Sequence, residues 1–480
     1  MPDQISGNLP DQFRQQAVFD RLRLGILAGT FSGGARLPPS RHLADELGVS
    51  RQTVVLAYER LAAEGYVRAR TGSGTFVATD LPDAAPPKAG LPKAVTIRLS
   101  TRGAAIAATP VSAAGVVAGD GLLAAGGPAL DLFPTAAWAS ATARVLRGLS
   151  PDLSAYPDLQ GLMALRVEVA SHLAATRGLL TTPEQIVVTS GTQQALRIAA
   201  DLLLDPGDPA WVEDPGYIAG RGALAAAGAR LVPVPSDGDG MDVAAGIARA
   251  PDARLVLVAP SHATPLGGAL PIGRRLALLD WAAQADAWVL EDDCDSEFRW
   301  EGKPLPPLAT LDRAGRVIYC GTFSKTLAPA LRIGFAVMPL AMVAPFVRAR
   351  ALSDRGPAAL AQAVLADFMA AGRLAPHIRR MRTEYAKRRA ALLAALVRHC
   401  PAVTAVDAPG GLHLVLALAG GNEAAVVVAA RARGLAVSPL AGYYVGASRM
   451  AGLVVGFASL PVARAGEAAR RLAAAVKAVG

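Results

Sequence analysis

Cysteine is scarce in this chain of 480 residues: Cys294, Cys320 and Cys400 are the only three, far apart and without paired spacing. That argues against a disulfide framework and fits a reducing compartment. Long apolar runs are missing too. The uncharged stretch Gly103 to Gly119 is built of Ala, Gly, Ser and Pro with few larger residues. A membrane span needs about 20 strongly apolar residues, so this stretch reads as linker or domain entry. No basic region followed by an apolar run opens the chain at Met1-Pro2-Asp3-Gln4, so no secretory signal is visible. No internal repeat is present. The expectation is a soluble, cytoplasmic protein.

A local surplus of positive charge is lacking where it would say most. The formal net charge is +9, yet residues 1–80 hold nine arginines against eight acids. The densest basic cluster, Arg379, Arg380, Arg382, Lys387, Arg388 and Arg389, lies far downstream and reads as a solvated helix face. Net charge therefore decides nothing about nucleic acid.

What is present is abundant apolar residue, 52% of the chain and much of it alanine, in a length too great for one core. Two or three domains are expected. Residues 12–79 are dense in short helical patterns. Residues 81–93, LPDAAPPKAGLPK, are Pro- and Ala-rich, and low-complexity sequence continues toward residue 119, giving a linker over 80–121. From Leu122 onward apolar runs alternate with amphipathic helices: Gln185–Thr189 then Gln193–Leu204, Ala210–Val212 then Tyr217–Ala227, Arg254–Ala259 then Ile272–Ala285, followed by Ala287–Leu290 and Val317–Cys320. Such alternation predicts a parallel sheet covered by helices. After Pro339 the pattern turns mostly helical with a few late strands, which predicts a smaller C-terminal α/β subdomain at about 340–480.

In the N-terminal region, Phe19 to Leu27 shows helical spacing and ends near Gly29. Ser40 is placed to cap a short helix through Leu47, Gly48 closes it, and Ser50 caps the next helix from Arg51 to about Glu64. Two short helices with a Gly-containing turn form a helix-turn-helix, in which the start of the second helix faces base edges. Those residues are Ser50, Arg51, Gln52 and Thr53; Arg suits guanine and Gln suits adenine. Tyr66 to Val77 then reads as a hairpin wing, with Arg68 and Arg70 on one face and Gly72 allowing close backbone approach to a phosphate. Taken from pattern alone, a small structural helical domain with a solvated hairpin remains open. The wording LPPSRHLADELGVSRQTVVLAYERLAAEGYVRARTGSGTFV closely resembles the GntR-type winged helix, over residues 12–79. The resemblance implies DNA contacts from Arg41, Ser50, Arg51, Thr53 and Gly72.

Four segments further on carry chemistry. Lys325, in GTFSK, leaves an apolar strand and could act as a desolvated nucleophile; Arg332 follows seven residues later, and Thr322 and Ser324 add hydroxyls. A lone lysine after a strand is ordinarily a surface residue. Glu291-Asp292-Asp293 stands at the end of an apolar strand, where α/β folds place ligands, though a helix-capping acidic turn fits equally. Ser190-Gly191-Thr192-Gln193 joins strand to helix and could bind an anion through backbone N–H groups, a weak signal by itself. Tyr217, in EDPGY, could stack on an aromatic ring or be a core residue. A lysine, a buried carboxylate, a phosphate cradle and an aromatic lid are the four provisions for pyridoxal phosphate (PLP).

Together these segments resemble the class I aminotransferases of PLP fold type I, from about Leu122 to Gly480. The resemblance implies that Lys325 carries PLP as a Schiff base, that Asp292 partners the pyridine nitrogen and that Tyr217 stacks on the ring. It assigns Thr192, Gln193, Thr322, Ser324 and Arg332 to the phosphate. Tyr156, in YPDLQG, would reach the phosphate of the other subunit, so that a homodimer completes the site. The whole arrangement is multidomain: a winged helix-turn-helix (α+β), a linker, then an α/β PLP fold type I domain. It looks like the MocR subfamily of GntR-type regulators, which EDDCDSEFRW, SGTQQAL and EDPGY match better than they match ordinary aminotransferases.

Three positions depart from that pattern. The family's tyrosine two residues after the aspartate is Cys294, a poor hydrogen-bond donor. The carboxylate-binding arginine of aminotransferases aligns with Val454, and Arg449 is near it only in sequence. The usual Asn-Pro is Thr264-Pro265, preceded by His262, which reads as a satisfied loop histidine more readily than as a ligand contact. These losses argue against efficient transamination, leaving residual half-reaction at most. The expected function is a PLP-binding transcription regulator of a double-stranded DNA operator, sensing PLP itself, an amino acid or an amine. The alternatives are an active aminotransferase with a DNA-binding appendage, and a PLP-free scaffold that only dimerises the winged helices. No metal site is expected.

Overall fold

A computed structural model describes residues 11–70, 72–81, 97–111, 121–148, 155–300, 305–420 and 422–479. The chain divides into two compact units, Met1–Arg98 and Leu99–Gly480.

The first unit holds α1 (Asp11–Leu27), α2 (Ser40–Leu47), α3 (Arg51–Ala63), β1 (Val67–Arg70) and β2 (Gly74–Val77). Gly48 ends α2 in the left-handed region at φ 66°, a conformation that glycine adopts without a Cβ penalty. The Ser50 hydroxyl accepts from the N–H of Thr53 at 3.1 Å and starts α3. Ser40 is not the cap of α2: it is the first helical residue, Pro39 precedes it, and no side chain caps that end. Phe19, Leu22, Leu47, Val54, Leu61 and Val77 meet in one buried core under the helices and hairpin. The hairpin pairs Val67 with Val77 and Arg70 with Gly74, and Arg36 adds a bridge to Phe76 from the chain before α2.

The second unit opens with α4 (Thr101–Ala108), α5 (Thr135–Arg147) and α6 (Met163–Arg177). There follow β3 (Ile186–Thr189), α7 (Thr192–Leu203), β4 (Pro209–Asp214), α8 (Ile218–Ala227), β5 (Arg230–Asp237), β6 (Gly240–Met241), α9 (Val243–Arg249) and β7 (Leu255–Val258). Then come α10 (Ile272–Gln284), β8 (Trp288–Asp293), α11 (Leu308–Leu311), β9 (Val317–Thr322) and β10 (Gly334–Val337). The chain closes through α12 (Leu340–Ser353), α13 (Ala359–Ala370), α14 (Leu374–His399), β11 (Val403–Ala405), β12 (His413–Leu418), α15 (Glu423–Arg431), β13 (Ser438–Pro439), β14 (Gly452–Gly456) and α16 (Ala465–Lys477).

Eight strands form one sheet in the order β3-β10-β9-β8-β7-β4-β5-β6. The sheet is not wholly parallel as the alternation predicts. The central pairs are parallel, but β10 runs antiparallel to both its neighbours and β6 runs antiparallel to β5. Strands β5 and β10 lie outside the apolar runs read from the sequence: β5 carries two prolines, and β10 is four residues long and returns without a helix. Helices cover both faces, which is why β3, β4 and β7 are buried at every position. A stacked pair, Trp211 and Trp281 with centroids 3.8 Å apart, fills one of those interfaces.

A four-stranded antiparallel sheet, β11-β12-β14-β13, packs with α14, α15 and α16 on a separate core that includes Leu392, Leu416, Leu453 and Leu472. This smaller layer does not begin near residue 340. Phe346 of α12 and Phe368 of α13 belong to cores of the large sheet, while Leu122 and Leu123 join the small one. Of the segment expected to be linker, 82–96 and 112–120 lie outside the described residues. Helix α4, however, is folded onto the second unit, where Arg102 approaches Asp201 at 3.6 Å and a Cβ on Gly222 of α8 would meet Thr109 at 3.1 Å. The basic cluster on α14 is not simply a solvated face either. Arg388 is buried and bridges Asp131 at 2.6 Å, and Arg382 is spent on the carbonyl of Glu297. Among the described residues no helix is long and apolar enough to cross a membrane.

Candidate cofactor site and nucleic-acid interface

In the first unit, Arg41, Arg51 and Gln52 are exposed where α2 and α3 begin, and the Arg51 side chain reaches Ser40 Oγ at 3.4 Å. Thr53 behaves differently from its neighbours. It is buried, and its hydroxyl lies 2.8 Å from that of the exposed Ser50, so Thr53 fastens the helix start instead of facing outward. On the hairpin, Arg68 is exposed and paired with Asp80 at 2.7 Å, and the Arg70 guanidinium lies 4.9 Å from the Phe76 ring centroid. Gly72 turns the tip at φ 74°. The structure adds a cation that the sequence reading missed: Arg36 is exposed with its guanidinium packed against Gly74. Its backbone bridge to Phe76, invisible in sequence, is what puts it beside the hairpin.

In the second unit, the carboxyl ends of the parallel strands open on a cavity of about 560 Å³. Strand β9 delivers Thr322, Ser324 and Lys325 to it, β8 delivers Asp292 and Cys294, and the starts of α7 and α8 deliver Thr192, Gln193 and Tyr217. Arg332 returns to the same cavity after a tight turn at Pro329–Leu331, in the left-handed region at φ 51°. Its guanidinium lies against Gly191, which precedes α7 at φ 106°. Free N–H groups at that helix start and the arginine together favour a dianion. Thr322 Oγ1 meets Ser324 Oγ at 3.0 Å, and Tyr217 donates to Gln193 at 3.3 Å. Lys325 Nζ donates to the carbonyl of Gly126, a partner from before α5 that sequence spacing gave no means to find.

Electrostatics mark Asp292 as unusual. Burial, with Asp293 and Asp295 repelling and Lys325 partly offsetting them, pushes its carboxyl up to about 7. Asp292 Oδ1 and Thr192 Oγ1 are buried without a hydrogen-bond partner among the described residues. An unpaired buried acceptor costs about 1–3 kcal/mol, so such atoms ask for a ligand. A phosphate would meet the need of Thr192, and a protonated ring nitrogen would find an anionic partner in the Asp292 carboxylate, so the residues present fit PLP.

Tyr156 is 80% exposed, beside Arg355, and does not line this cavity. Cys294 does line it, its thiol held well above the usual range by burial and by Asp292 and Asp295. Val454 is a buried part of the wall, together with Leu412 and Ala436, whereas Arg449 is exposed and outside it. Thr264 lines the cavity; His262 does not. Its Nδ1 lies 3.1 Å from Asp295, and burial alone would lower its pKa, but Asp295 outweighs that and raises it.

Residues 122–472 match the family described as aminotransferase class I and II, and residues 14–77 match the gntR family of bacterial regulatory proteins. The probable rhizopine catabolism regulatory protein MocR of Rhizobium meliloti is 40% identical over 445 residues, 92% of this chain and 90% of that protein. The HTH-type pyridoxine biosynthesis transcriptional regulator PdxR of Corynebacterium glutamicum is 35% identical over 456 residues, covering 94% and 92%. Among solved structures, the kynurenine aminotransferase of Pyrococcus horikoshii, in complex with PMP, superimposes with a TM-score of 0.69 at 28% identity over 75% of this chain and 92% of that one.

Proposed function

The chain belongs to the MocR-type family of GntR regulators, in which a winged helix-turn-helix precedes an aminotransferase-like domain, and we propose that its second unit holds PLP to sense it, or a primary amine, rather than to turn substrate over. The observation that carries this reading is the cavity itself: Lys325, Asp292 and Arg332 line it, while the late strand offers the neutral Val454. When bound, PLP supplies a carbonyl that amines condense with and a ring that absorbs visible light.

The chain's own residues have separable tasks. Arg332 and the start of α7 hold the phosphate, with Thr192, Gln193, Thr322 and Ser324 supplying further donors. Tyr217 covers the ring, and Asp292 keeps a proton on the ring nitrogen. Lys325, whose Nζ now donates to the carbonyl of Gly126, would supply the amine that holds the cofactor covalently. Tyr156, exposed in its own chain, completes the phosphate site of a second copy, which makes the working unit a homodimer. An α-carboxylate would find no guanidinium on the late strand, and Cys294 is a poor donor where the family places a phenol, so turnover is weak. Regulators of the GntR type bind DNA. Here Arg41, Arg51 and Gln52 would face an operator's base edges and backbone, with Arg36, Arg68, Arg70 and Gly72 on the flanking phosphates. Cytoplasmic location follows from that role.

The test is operator binding by the full-length protein with and without added PLP, and then with PLP plus a panel of amines and amino acids. A change in DNA affinity with PLP or one amine, and transaminase turnover far below that of ordinary enzymes, is the expected result. Fast turnover on a common amino donor would overturn it, as would a protein that stays colourless when PLP is added.

A further inference from the structure

Asp292 is not the only carboxyl group buried at the floor of the site. Glu213 stands in the middle of the large sheet, on β4, two strands away from β8. It is 5% exposed and shares with Asp292 a second, small cavity, closed in by Tyr217, Leu257 and Ala259. That cavity offers about 10 Å³ to a water centre, room for one molecule.

Each carboxyl turns an unsatisfied oxygen to this part of the interior. Glu213 Oε2 accepts from the N–H of Ala259 at 3.2 Å, but Oε1 is buried without a partner among the described residues, and so is Asp292 Oδ1. Two ionised carboxylates flanking one water-sized space would repel each other in a medium that screens poorly. The charged groups facing Asp292 are Asp293 and Asp295 from its own strand and its extension, and Lys325 from the end of β9. Among the described residues, the charge that bears on Glu213 is that of Asp292. Burial pushes Glu213 up to about 8, with the Ala259 N–H pulling it back and Asp292 adding to the rise. Asp292 has Lys325 beside it, a cation that favours its ionised form. A proton shared by this pair therefore rests on Glu213.

We infer that Glu213 is a positioning residue for Asp292: as a neutral acid it donates, through one water in the small cavity, to Asp292 Oδ1, and so holds that carboxylate ionised and aimed at the cofactor's ring nitrogen. A hydrogen bond made to the charged form of a group favours that form. The water has the two polar partners that make a buried site worth filling. Without the donor, Asp292 keeps an unpaired oxygen among Leu257 and Val258, its carboxyl moves toward the neutral form, and the proton at the ring nitrogen is less well held. The inference rests on the reading that PLP occupies the site.

Full-length protein loaded with PLP that is ¹⁵N-labelled at the ring nitrogen tests it, by comparing wild type, Glu213→Gln and Glu213→Leu. The readouts are the ring-nitrogen chemical shift, the pH profile of the visible band and the PLP dissociation constant. Glu213→Gln keeps a neutral donor of the same size and is expected to follow wild type in all three below pH about 8, where Glu213 itself is still neutral. Glu213→Leu is expected to move the nitrogen signal toward that of neutral pyridine and to weaken PLP binding about tenfold, or about 1.4 kcal/mol. Glu213→Met carries the same comparison if the leucine variant does not fold, with the melting curve of the PLP-free protein reporting the fold. A leucine or methionine variant that titrates and binds like wild type overturns the inference. So does a glutamine variant that shifts as far as they do, because the group would then act as an anion. A wild-type protein that binds no PLP fails earlier and overturns the cofactor reading instead.

Discussion

Arg177 and Asp293 meet at 2.8 Å with both side chains almost wholly enclosed, 3% and 2% exposed. Asp293 also accepts from the Tyr319 hydroxyl at 2.6 Å, and Arg177 donates to Ser261 at 3.1 Å. Removing one partner of such a pair strands a charge in the interior, a loss of about 3–5 kcal/mol. Arg177→Leu is therefore expected to lower the urea midpoint of the second unit sharply. It should also weaken PLP binding, since Asp293 adjoins Asp292 on β8. The ion pair of Arg68 and Asp80 is as short, at 2.7 Å, but lies in water with 66% and 65% exposure. Arg68→Ala should cost about 0–1 kcal/mol. Equal losses from the two variants would show that burial does not set the value of these pairs.

Lys325→Ala should abolish the visible absorption that PLP gives when covalently held, yet leave weak PLP binding through Arg332 and the start of α7. Equilibrium dialysis separates the two effects. DNA affinity of the PLP-free variant should match that of PLP-free wild type, because Lys325 and the recognition residues belong to different compact units. A visible band that survives the substitution would remove Lys325 from its role.

Much of this site was legible in the sequence because strand ends carry it. The residues Thr192, Tyr217, Asp292 and Lys325 each follow or end an apolar run, and a sheet brings such ends together whatever the loops do. What the sequence did not disclose depends on long-range pairing. Gly126 meets Lys325 through a segment with no periodicity, and Arg36 reaches the hairpin only by a backbone bridge. Strand β5 was hidden by its prolines, and the reversed β10 by lacking the crossover helix that parallel strands need. The pairing of Glu213 with Asp292 needs the strand order β8-β7-β4, which no local pattern reveals.

Gly191 holds φ at 106°, and a Cβ there would also lie 3.4 Å from the Arg332 guanidinium. With ψ at 167° the conformation is one that essentially glycine alone adopts, so alanine strains the backbone by about 1–3 kcal/mol and crowds the arginine. Gly191→Ala is expected to weaken binding of both PLP and inorganic phosphate about tenfold, measured by calorimetry. Loss of PLP binding with phosphate binding intact would place the phosphate elsewhere.

The contrast between Arg51 and Thr53 gives a test of the winged helix. Arg51→Ala removes an exposed guanidinium and should cut specific operator affinity while leaving the melting curve unchanged. Thr53→Ala instead removes the hydroxyl that lies 2.8 Å from Ser50 and should cost about 0.5–1.5 kcal/mol of stability, with operator binding preserved below the transition. Gel-shift titration and thermal unfolding read the two effects. If Thr53→Ala abolished specific binding in a fully folded protein, its hydroxyl would have to leave the helix cap to meet DNA.

Stability should fall as pH rises from about 6.5 to about 8, and the buried carboxyls supply the sign. Burial pushes Glu213 up to about 8 and Glu291 up to about 7, the latter with Asp293 repelling it. In the unfolded chain both are ionised throughout this window, so the folded state binds more protons and each rise in pH favours unfolding. The histidines that oppose this trend have finished titrating by then. His172 and His413 are lowered to about 4, chiefly by burial, and their contribution rises between that value and their ordinary 6.5 and is then constant. Asp295, lowered by His262 against its own burial, loses its contribution only as pH falls through its folded value, below the window. Urea unfolding of the PLP-free protein at pH values spanning the window measures the slope directly. Glu213→Gln removes the group that titrates highest, so its curve should be flatter and should lie above wild type most clearly at the alkaline end. A wild-type stability that is level or rising across the window would mean that Glu213 is already ionised in the fold, with a counter-charge beside it.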